Sequence, residues 1–329
     1  MVTIVEVAKK AGVSNSTVTK VIRDYPNISL ATRKRVLEAI DELGYVRNSA
    51  ASELSSKNHN RIALIININE MKQSIDEVNM QYLLGAFHKA DELNLNLMTI
   101  FYPMFERQSA SELRAYLKSQ GVTGFITYGL NKHSKSIRKV IESGEIPSVV
   151  VDAYDVGEKT TSVSIDNTKG QYEVAKQTIL GEFCEKVLYI AGKEDGYVTE
   201  MRLAGIQKLK DNLGFSLEIV YGDFSEKKAR KLTFDYGEEA DVIVCASDLM
   251  AIGAKSALRE MDIFRPICGF DGIRLMGYAG ERMNTCKQDF YHISEVAVEE
   301  MQRILNGKKG RKRIVDFEII RMEYEDVIF

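Results

Sequence analysis

The sequence has no apolar run of about 18 residues, the length that a membrane-spanning helix requires. Its first residues, Met-Val-Thr-Ile-Val-Glu, do not follow the basic and then apolar order of a secretory signal. We therefore expect no membrane-spanning segment and a location in the cytoplasm.

Residue combinations typical of metal, redox or catalytic sites are also missing. The cysteines lie far apart in the chain, at Cys184, Cys245, Cys268 and Cys286. No two of them have metal-binding or redox spacing, so we expect buried, reduced thiols. The histidines are equally scattered, at His59, His88, His133 and His292. The first apolar strand runs into Ile66-Asn-Ile-Asn-Glu70, without the glycine-rich loop of a nucleotide enzyme. The sequence therefore predicts neither an enzyme nor a cofactor or metal site.

Charge is unevenly distributed along the 329 residues, a length that suggests two or three domains. Residues 1–60 contain nine Lys and Arg against six Asp and Glu, whereas the rest of the chain contains 35 against 41. A basic N-terminal part in an otherwise acidic chain favours nucleic-acid binding there. A second basic cluster, Lys308–Arg313, is interpreted as a solvated loop between a helix and a strand.

The first 22 residues have the pattern of two short helices joined by a tight turn. Thr3 and Glu6 form a capping-box sequence, after which Val5 and Ala8 can share a buried face. Gly12 permits a sharp turn with Val13 packed beneath it. Ser14 or Asn15 can cap the second helix, whose inward positions are Val18, Val21 and Ile22.

A third helix is predicted between a Ser29 cap and a Gly44 stop, with the apolar stripe Val36, Leu37, Ile40 and Leu43. The outer face of the second helix then carries amides, hydroxyls and cations, which suit base edges and phosphates in a DNA major groove. These residues are Asn15, Ser16, Thr19, Lys20 and Arg23. The pattern favours a helix-turn-helix; the alternative is a pair of small surface helices in an ordinary domain.

The following segment, residues 47–60, is polar and rich in small residues, as linkers are. Asn48 can cap a short helix that carries Ala50, Ala51 and Leu54. This helix has too little apolar surface to be stable alone, so we expect it to fold only when something docks against it. The alternative is that Leu54 is an isolated apolar residue in a linker.

From Arg61 onward, buried strands alternate with amphipathic helices in two consecutive series. The predicted strands are Ile62–Ile68, Leu95–Phe101, Gly124–Thr127, Ser148–Val151, Val187–Ala191, Leu217–Tyr221, Val242–Ala246 and Ile267–Phe270. A helix, Ser294–Asn306, and a strand near Val315–Ile320 follow. This pattern predicts an α/β core of two parallel-sheet lobes, with a cleft at the carboxyl ends of the strands.

The whole chain resembles the lactose/galactose-repressor (LacI/GalR) family of bacterial transcription factors. The segments that carry the resemblance are Ala8–Val21, Val163-Ser-Ile-Asp-Asn167, Arg202-Leu-Ala-Gly205, Ala246–Gly253, Gly269-Phe-Asp271 and Lys287-Gln-Asp-Phe290. The resemblance implies a helix-turn-helix head, a hinge helix and a two-lobed core like that of periplasmic binding proteins. The expected boundaries are 1–46 for the head, 47–60 for the hinge, 61–160 plus 290–317 for the N-subdomain, and 161–289 plus 318–329 for the C-subdomain.

The resemblance also implies DNA-contacting positions. Asn15, Ser16 and Lys20 match base-contacting residues, although Lys20 lacks the bidentate fork of the arginine that most members carry. Leu54 matches a leucine wedged into the minor groove. The acid Glu53 departs from the family pattern and would repel phosphates. The full predicted set is Thr3, Ser14, Asn15, Ser16, Thr17, Thr19, Lys20, Asn27, Asn48, Ala51 and Leu54.

Within the core, the resemblance implies an effector site in the cleft. Its predicted residues are Asp152, Arg202, Phe224, Ser247, Asp271, Gln288 and Phe290. Arg and Asp can bracket sugar hydroxyls, and Phe can cover a sugar face. Alternatively, Asp271 caps a turn, Arg202 only pairs with a carboxylate, and both Phe residues belong to the core. Asp248 is interpreted as a helix cap at Leu249.

These expectations describe a repressor of carbohydrate-utilisation genes that a sugar releases from a palindromic operator. A purine or nucleoside effector, or a phosphorylated carrier protein as corepressor, is the alternative. A homodimer is expected, because one helix-turn-helix makes too few contacts and no leucine heptads follow the core. A periplasmic-type binding protein would instead need a secretion signal and no DNA-binding head.

Overall fold

The computed structural model describes residues 2–22, 25–45, 60–67, 77–154, 156–180, 184–280 and 282–328. The chain divides into two units, residues 1–59 and 60–329. None of the helices within the described ranges is both long and apolar enough to cross a membrane.

The described residues of the first unit form three helices: α1 (Ile4–Ala11), α2 (Asn15–Ile22) and α3 (Leu30–Leu43). They pack around Val7, Val18, Val21 and Val36, all at most 4% exposed. The predicted helix starts and stops are confirmed. The Glu6 carboxylate accepts the Thr3 amide at 2.7 Å, and Gly12 ends α1 in the left-handed region at φ 66°. Ser29 accepts the Thr32 amide, and Gly44 ends α3 at φ 59°.

The prediction of the head core is wrong at two positions. Val5 is 56% exposed, because it lies two residues before the buried Val7 and therefore about 200° away around the helix. Leu37 is 48% exposed, since the face of α3 that turns inward carries Val36 and Ala39 instead.

The first lobe of the core is built on a six-stranded parallel sheet in the order β11-β5-β4-β3-β1-β2. The strands are β1 (Arg61–Ile66), β2 (Asn96–Phe101), β3 (Val122–Tyr128), β4 (Ser148–Val151), β5 (Thr160–Ile165) and β11 (Lys312–Val315). Its helices are α4 (Glu77–Glu92), α5 (Ala110–Ser119), α6 (Lys135–Ser143) and α12 (Phe290–Leu305), with a short 3-10 helix at Tyr102–Phe105.

The second lobe has a six-stranded sheet in the order β12-β10-β9-β8-β6-β7. The strands are β6 (Lys186–Ala191), β7 (Ser216–Tyr221), β8 (Val242–Cys245), β9 (Ile267–Cys268), β10 (Met283–Gln288) and β12 (Phe317–Met322). The helices are α7 (Asn167–Ile179), α8 (Tyr197–Leu213), α9 (Glu226–Tyr236), α10 (Asp248–Glu260), α11 (Arg274–Gly277) and α13 (Glu325–Ile328). The prediction of two parallel-sheet lobes is confirmed except at β12, which is antiparallel to β10.

The chain passes between the lobes after β5, after β10 and between β11 and β12. The predicted single strand near Val315–Ile320 is therefore wrong: Asp316 separates two strands that belong to different sheets. Strands β5 and β10 were not predicted. Because β5 lies in the first sheet, the chain first passes to the second lobe after residue 165 rather than near residue 160. Serine and threonine residues in β5, Thr160-Thr-Ser-Val-Ser-Ile165, and the polar residues Asn284, Thr285, Lys287 and Gln288 in β10 obscure the apolar pattern of a buried strand.

Three helix pairs in the core cross at a glycine that touches the backbone of the partner helix. A Cβ atom would lie closer than 3 Å to the carbonyl oxygen of Tyr291 if added at Gly85, of Thr168 if added at Gly205, and of Glu226 if added at Gly253. These crossings join α4 to α12, α7 to α8, and α9 to α10. Only glycine permits such an approach, so these three positions set how closely the helices pack.

We expect Gly205→Ala to destabilise the core by about 1–3 kcal/mol, because the new methyl group collides with the backbone of α7. Helix propensity alone would give a gain of about 1 kcal/mol. Denaturant unfolding of the full chain measures the difference. The matched control is Ala204→Gly at the exposed neighbouring position, which should cost about 1 kcal/mol through propensity alone. A stabilised Gly205→Ala protein would contradict the close crossing.

Candidate DNA-binding surface and effector cavity

The outer face of α2 presents the predicted DNA-contacting side chains. Asn15, Ser16 and Lys20 are exposed, while Thr17 and Thr19 are partly buried. Within the described part of the chain, no side chain bonds the Asn15 amide or pairs with the Lys20 ammonium group. Both groups are therefore available to acceptors and phosphates in a groove.

The predicted hydroxyl-bearing residues are partly committed to the local structure. Ser14 caps α2, since its Oγ accepts the Thr17 amide at 3.2 Å, and it also contacts the hydroxyls of Ser16 and Thr17. Thr19 donates its hydroxyl to the Asn15 carbonyl at 3.0 Å. Thr3 belongs to the capping box of α1, and Asn27 is exposed in the turn before α3.

The remaining DNA predictions lie outside the described residues. They concern Arg23 in the head and Asn48, Ala50, Ala51, Ser52, Glu53 and Leu54 in the linker. The hinge helix thus stays a prediction from the sequence.

A cavity of about 360 Å³ lies between the two lobes of the core. Residues just beyond the carboxyl ends of the parallel strands line it, which is where sheets of this type bind ligands. Six of the seven predicted effector residues line the cavity: Asp152, Arg202, Phe224, Ser247, Asp271 and Phe290. The seventh, Gln288, lies behind Asp271 and donates to its Oδ1 at 3.0 Å.

Arg202 is the centre of the polar part of the cavity, although it is only 3% exposed. Its Nε donates to the side chain of Asn167 at 2.9 Å, and its Nη1 donates to the Ala246 carbonyl. Its Nη2 lies 3.2 Å from the Asp271 carboxylate, and the guanidinium stacks 3.7 Å above the Phe270 ring. Arg202 therefore both pairs with a carboxylate and lines the cavity.

Three cavity residues adopt left-handed backbone conformations that side chains rarely take. These are Asp152 at φ 60°, Phe224 at φ 57° and Asp271 at φ 119°. Such strain persists where surrounding contacts fix the backbone, and it concentrates at functional sites. The alternative that Asp271 caps the following turn is not what the hydrogen bonds show, because its carboxylate accepts from Gln288 and pairs with Arg202.

Burial raises the pKa of two carboxyl groups in the cavity, those of Asp152 and Asp271. Burial raises the pKa of Asp271 to about 6, although the positive charge of Arg202 and the hydrogen bond from Gln288 act in the opposite direction. Burial likewise raises the pKa of Asp152, with Arg202 again opposing the shift. Tyr82 donates its hydroxyl to Oδ2 of Asp152 at 3.1 Å, while Oδ1 has no hydrogen-bond partner among the described residues.

The interpretation of Asp248 as a helix cap is wrong. Ser247 caps α10 by accepting the Met250 amide, and Asp248 is the first helical residue. The Asp248 carboxylate is fully buried, where it accepts the Ile273 amide at 2.8 Å and the Thr285 hydroxyl at 2.7 Å. It thus anchors the loop that carries Asp271.

Sequence reasoning missed several lining residues, among them Tyr82, Asn131, Lys193 and Tyr197. Asn131 and Lys193 follow strands β3 and β6, so their position after buried strands was the available signal. No such sequence signal pointed to Tyr82, because it lies inside α4. Its ring packs 4.6 Å from the Tyr128 ring and edge-on to the Phe290 ring.

The mouth of the cavity is bridged by contacts between the lobes. Asn131 and Gly196 form an antiparallel β-bridge, beside which the Lys132 amide donates to the Asp195 carbonyl at 3.0 Å. The Glu77 carboxylate accepts the Arg274 amide at 3.0 Å. The structure is thus that of a closed cleft.

Two family models match the chain. "Bacterial regulatory proteins, lacI family" matches residues 3–48, and "Periplasmic binding proteins and sugar binding domain of LacI family" matches residues 72–316. The regulator RegA of Clostridium saccharobutylicum, an HTH-type transcriptional regulator, is 25% identical over 97% of each chain.

Solved structures show the same fold. The lac repressor dimer bound to operator and the anti-inducer ONPF superimposes with a TM-score of 0.81 at 22% identity, over 98% of this chain and 99% of that one. A complex of the transcriptional regulator CelR with cellobiose has a TM-score of 0.70 at 23% identity, over 98% and 100%. With its helix-turn-helix head and its two-lobed core both matched, this chain belongs to the LacI family of bacterial DNA-binding transcriptional regulators.

Proposed function

We propose that this protein is a repressor of carbohydrate-utilisation genes that binds a palindromic operator as a homodimer and is released by a sugar. The observation that carries the proposal is the enclosed cavity in which Arg202 and Asp271 form a buried pair, beside an Asp152 oxygen without a hydrogen-bond partner among the described residues. One helix-turn-helix makes few base contacts, so two copies on a two-fold symmetric site are expected.

The chemistry of the cavity favours a neutral polyhydroxylated ligand. Ionised carboxylates and a guanidinium can bracket neighbouring hydroxyls through charge-assisted hydrogen bonds. The rings of Tyr82, Phe224 and Phe290 offer apolar surface to a sugar face. The lining carries three carboxyl groups, on Glu77, Asp152 and Asp271, against the cations Lys193 and Arg202, which disfavours an anionic ligand such as a sugar phosphate.

The neighbouring structures support the same ligand class, since the lac repressor is bound to ONPG in one of them and CelR to cellobiose in another. In the proposed mechanism, the sugar stabilises a closed arrangement of the lobes that binds operator less well. Such coupling requires that the ligand prefer the DNA-poor state, and it is reciprocal: operator must then weaken sugar binding by the same factor.

A thermal-shift panel of sugars, sugar phosphates, nucleosides and purines should give one hit among neutral sugars. At 100 times its dissociation constant, a ligand adds about 2.7 kcal/mol of stability. Asp271→Asn, which keeps the shape of the side chain, should abolish the shift, whereas the exposed control Lys210→Ala should retain it. A hit among purines or nucleosides would assign the cavity to that class, and a flat panel would favour a protein corepressor.

The affinity for the sugar should decrease as the pH falls through 6, because Asp271 then gains a proton and its carboxyl group becomes a poorer acceptor. Calorimetric titration from pH 7.5 to 5 should show a loss that approaches tenfold per pH unit below 6. Asp271→Asn should bind weakly at every pH, with a flatter profile. A wild-type affinity independent of pH would exclude an ionised Asp271 as a ligand contact.

The head and the cavity should be coupled in operator binding. We expect the intact protein to select palindromic duplexes from a random pool and to release them when the sugar is added, as measured by gel shift. The fragment 60–329, which lacks the helix-turn-helix, should not select palindromic duplexes. Equal binding by fragment and intact protein would contradict the proposal, and tighter binding with sugar present would make the ligand a corepressor.

A further inference from the structure

A strongly basic surface lies on the first lobe, remote from the effector cavity. It consists of Lys159, Arg303, Lys308, Lys309, Arg311, Lys312 and Arg313, here called the basic patch. The loop between α12 and β11 carries the first part of the Lys308–Arg313 cluster, and β11 itself carries Lys312 and Arg313. The prediction that Lys308–Arg313 is a solvated loop is therefore only partly right, because the cluster continues into the edge strand β11.

The arginines of the patch are positioned by one buried carboxylate. Glu300 is 3% exposed and accepts hydrogen bonds from Arg303 at 2.7 Å and from Arg311, with Arg313 at 3.6 Å. Burial alone would raise the pKa of Glu300, but its arginine partners hold it below the usual value. A single negative charge thus holds three cations, which leaves a local excess of positive charge.

The lysines add to that excess. Lys309 pairs with Glu158 at 3.1 Å, and Lys312 lies 5.9 Å from the centre of the Tyr154 ring. Among the described residues, none forms an ion pair with Lys159, Lys308 or Lys312. Among the described residues, two carboxylates, Glu158 and Glu300, pair directly with cations of the patch, and Arg313 also lines a groove with Asp289, Asp316 and Glu318. Residues 61–329 as a whole have more acidic than basic residues.

The patch follows the β11 edge of the first sheet. Through the register of the parallel strands, Lys312 is level with Ser162, Val150, Thr127 and Ile65, and so lies four residues beyond Arg61 along the strand direction. The loop is fixed there by the Gly310 amide, which donates to the Glu158 carbonyl at 2.9 Å. Four strand spacings separate β1 from β11, which corresponds to about 19 Å.

We infer that the basic patch is a second DNA-binding site, one that contacts the phosphate backbone of a duplex. Exposed cations next to an acidic core attract a polyanion, and the release of its counterions supplies the affinity. The inference depends on DNA binding by the head but not on the nature of the effector.

The test compares the salt dependence of DNA binding by full-length proteins. The variant is Lys159→Ala/Lys308→Ala/Lys312→Ala, which removes three exposed cations that form no ion pair with the described residues. The matched control is Lys210→Ala/Lys227→Ala/Lys231→Ala, which removes three exposed lysines from the second lobe. Fluorescence anisotropy over a roughly sixfold range of KCl concentration, without sugar, uses a duplex selected by the wild-type protein and a random-sequence duplex of equal length.

We expect the patch variant to bind the selected duplex at least about tenfold more weakly at near-physiological salt. The slope of log K against log[salt] should become shallower by about 0.9 for each phosphate that the variant no longer neutralises. Binding to the random duplex should weaken by a similar factor, because phosphate contacts carry no sequence information. The control triple should match the wild type.

A patch variant with the wild-type slope and affinity on both duplexes would overturn the inference and assign the patch to another acidic partner. So would an equal loss of affinity in the control triple, which would reflect net charge alone. If the proposed function were wrong and the inference right, the salt slopes would change as expected while no sugar released the duplex. Unchanged thermal midpoints of both triples exclude misfolding as the cause.

Discussion

The buried pair of Arg202 and Asp271 is the interaction on which the functional core depends. It joins α8 to the loop after β9, and further hydrogen bonds from Arg202 reach α7 and the end of β8. Because a charge this deeply buried is costly without partners, these elements must keep their relative positions. The same constraint forms the wall of the cavity. The atoms that hold these elements together therefore also line the cavity.

The strained backbone of the cavity follows from that constraint. Asp152, Phe224 and Asp271 lie in left-handed conformations where their strands end, and neighbouring contacts keep them there. Asp248 illustrates how: buried behind the cavity, it holds the Ile273 amide and so fixes the loop that presents Asp271. The glycines at the helix crossings act at a larger scale, since they let the supporting helices approach to backbone contact. Contacts between the lobes then close the mouth of the cavity.

Charge is divided within the first lobe. The carboxyl ends of its strands face the cavity, in whose lining carboxyl groups outnumber cations. The basic patch lies instead along the β11 edge, and none of its residues lines the cavity. A parallel sheet permits this division, because the cavity is built where the strands finish, while an edge strand and the loop before it present their side chains to solvent.

Local sequence was sufficient to predict the helix-turn-helix, with its caps at Thr3 and Ser29 and its turn at Gly12, and the alternation of strands and helices. These features depend on local backbone preferences and on periodicity, which a single chain displays. Six lining residues of the cavity were also named in advance, through the family resemblance rather than through local pattern. Packing alone revealed that Asp316 divides two strands between two sheets, that Tyr82 reaches the cavity from inside a helix, and that Asp248 is an anchor. Each of these depends on residues far apart in sequence, whose contacts arise from packing rather than from local pattern.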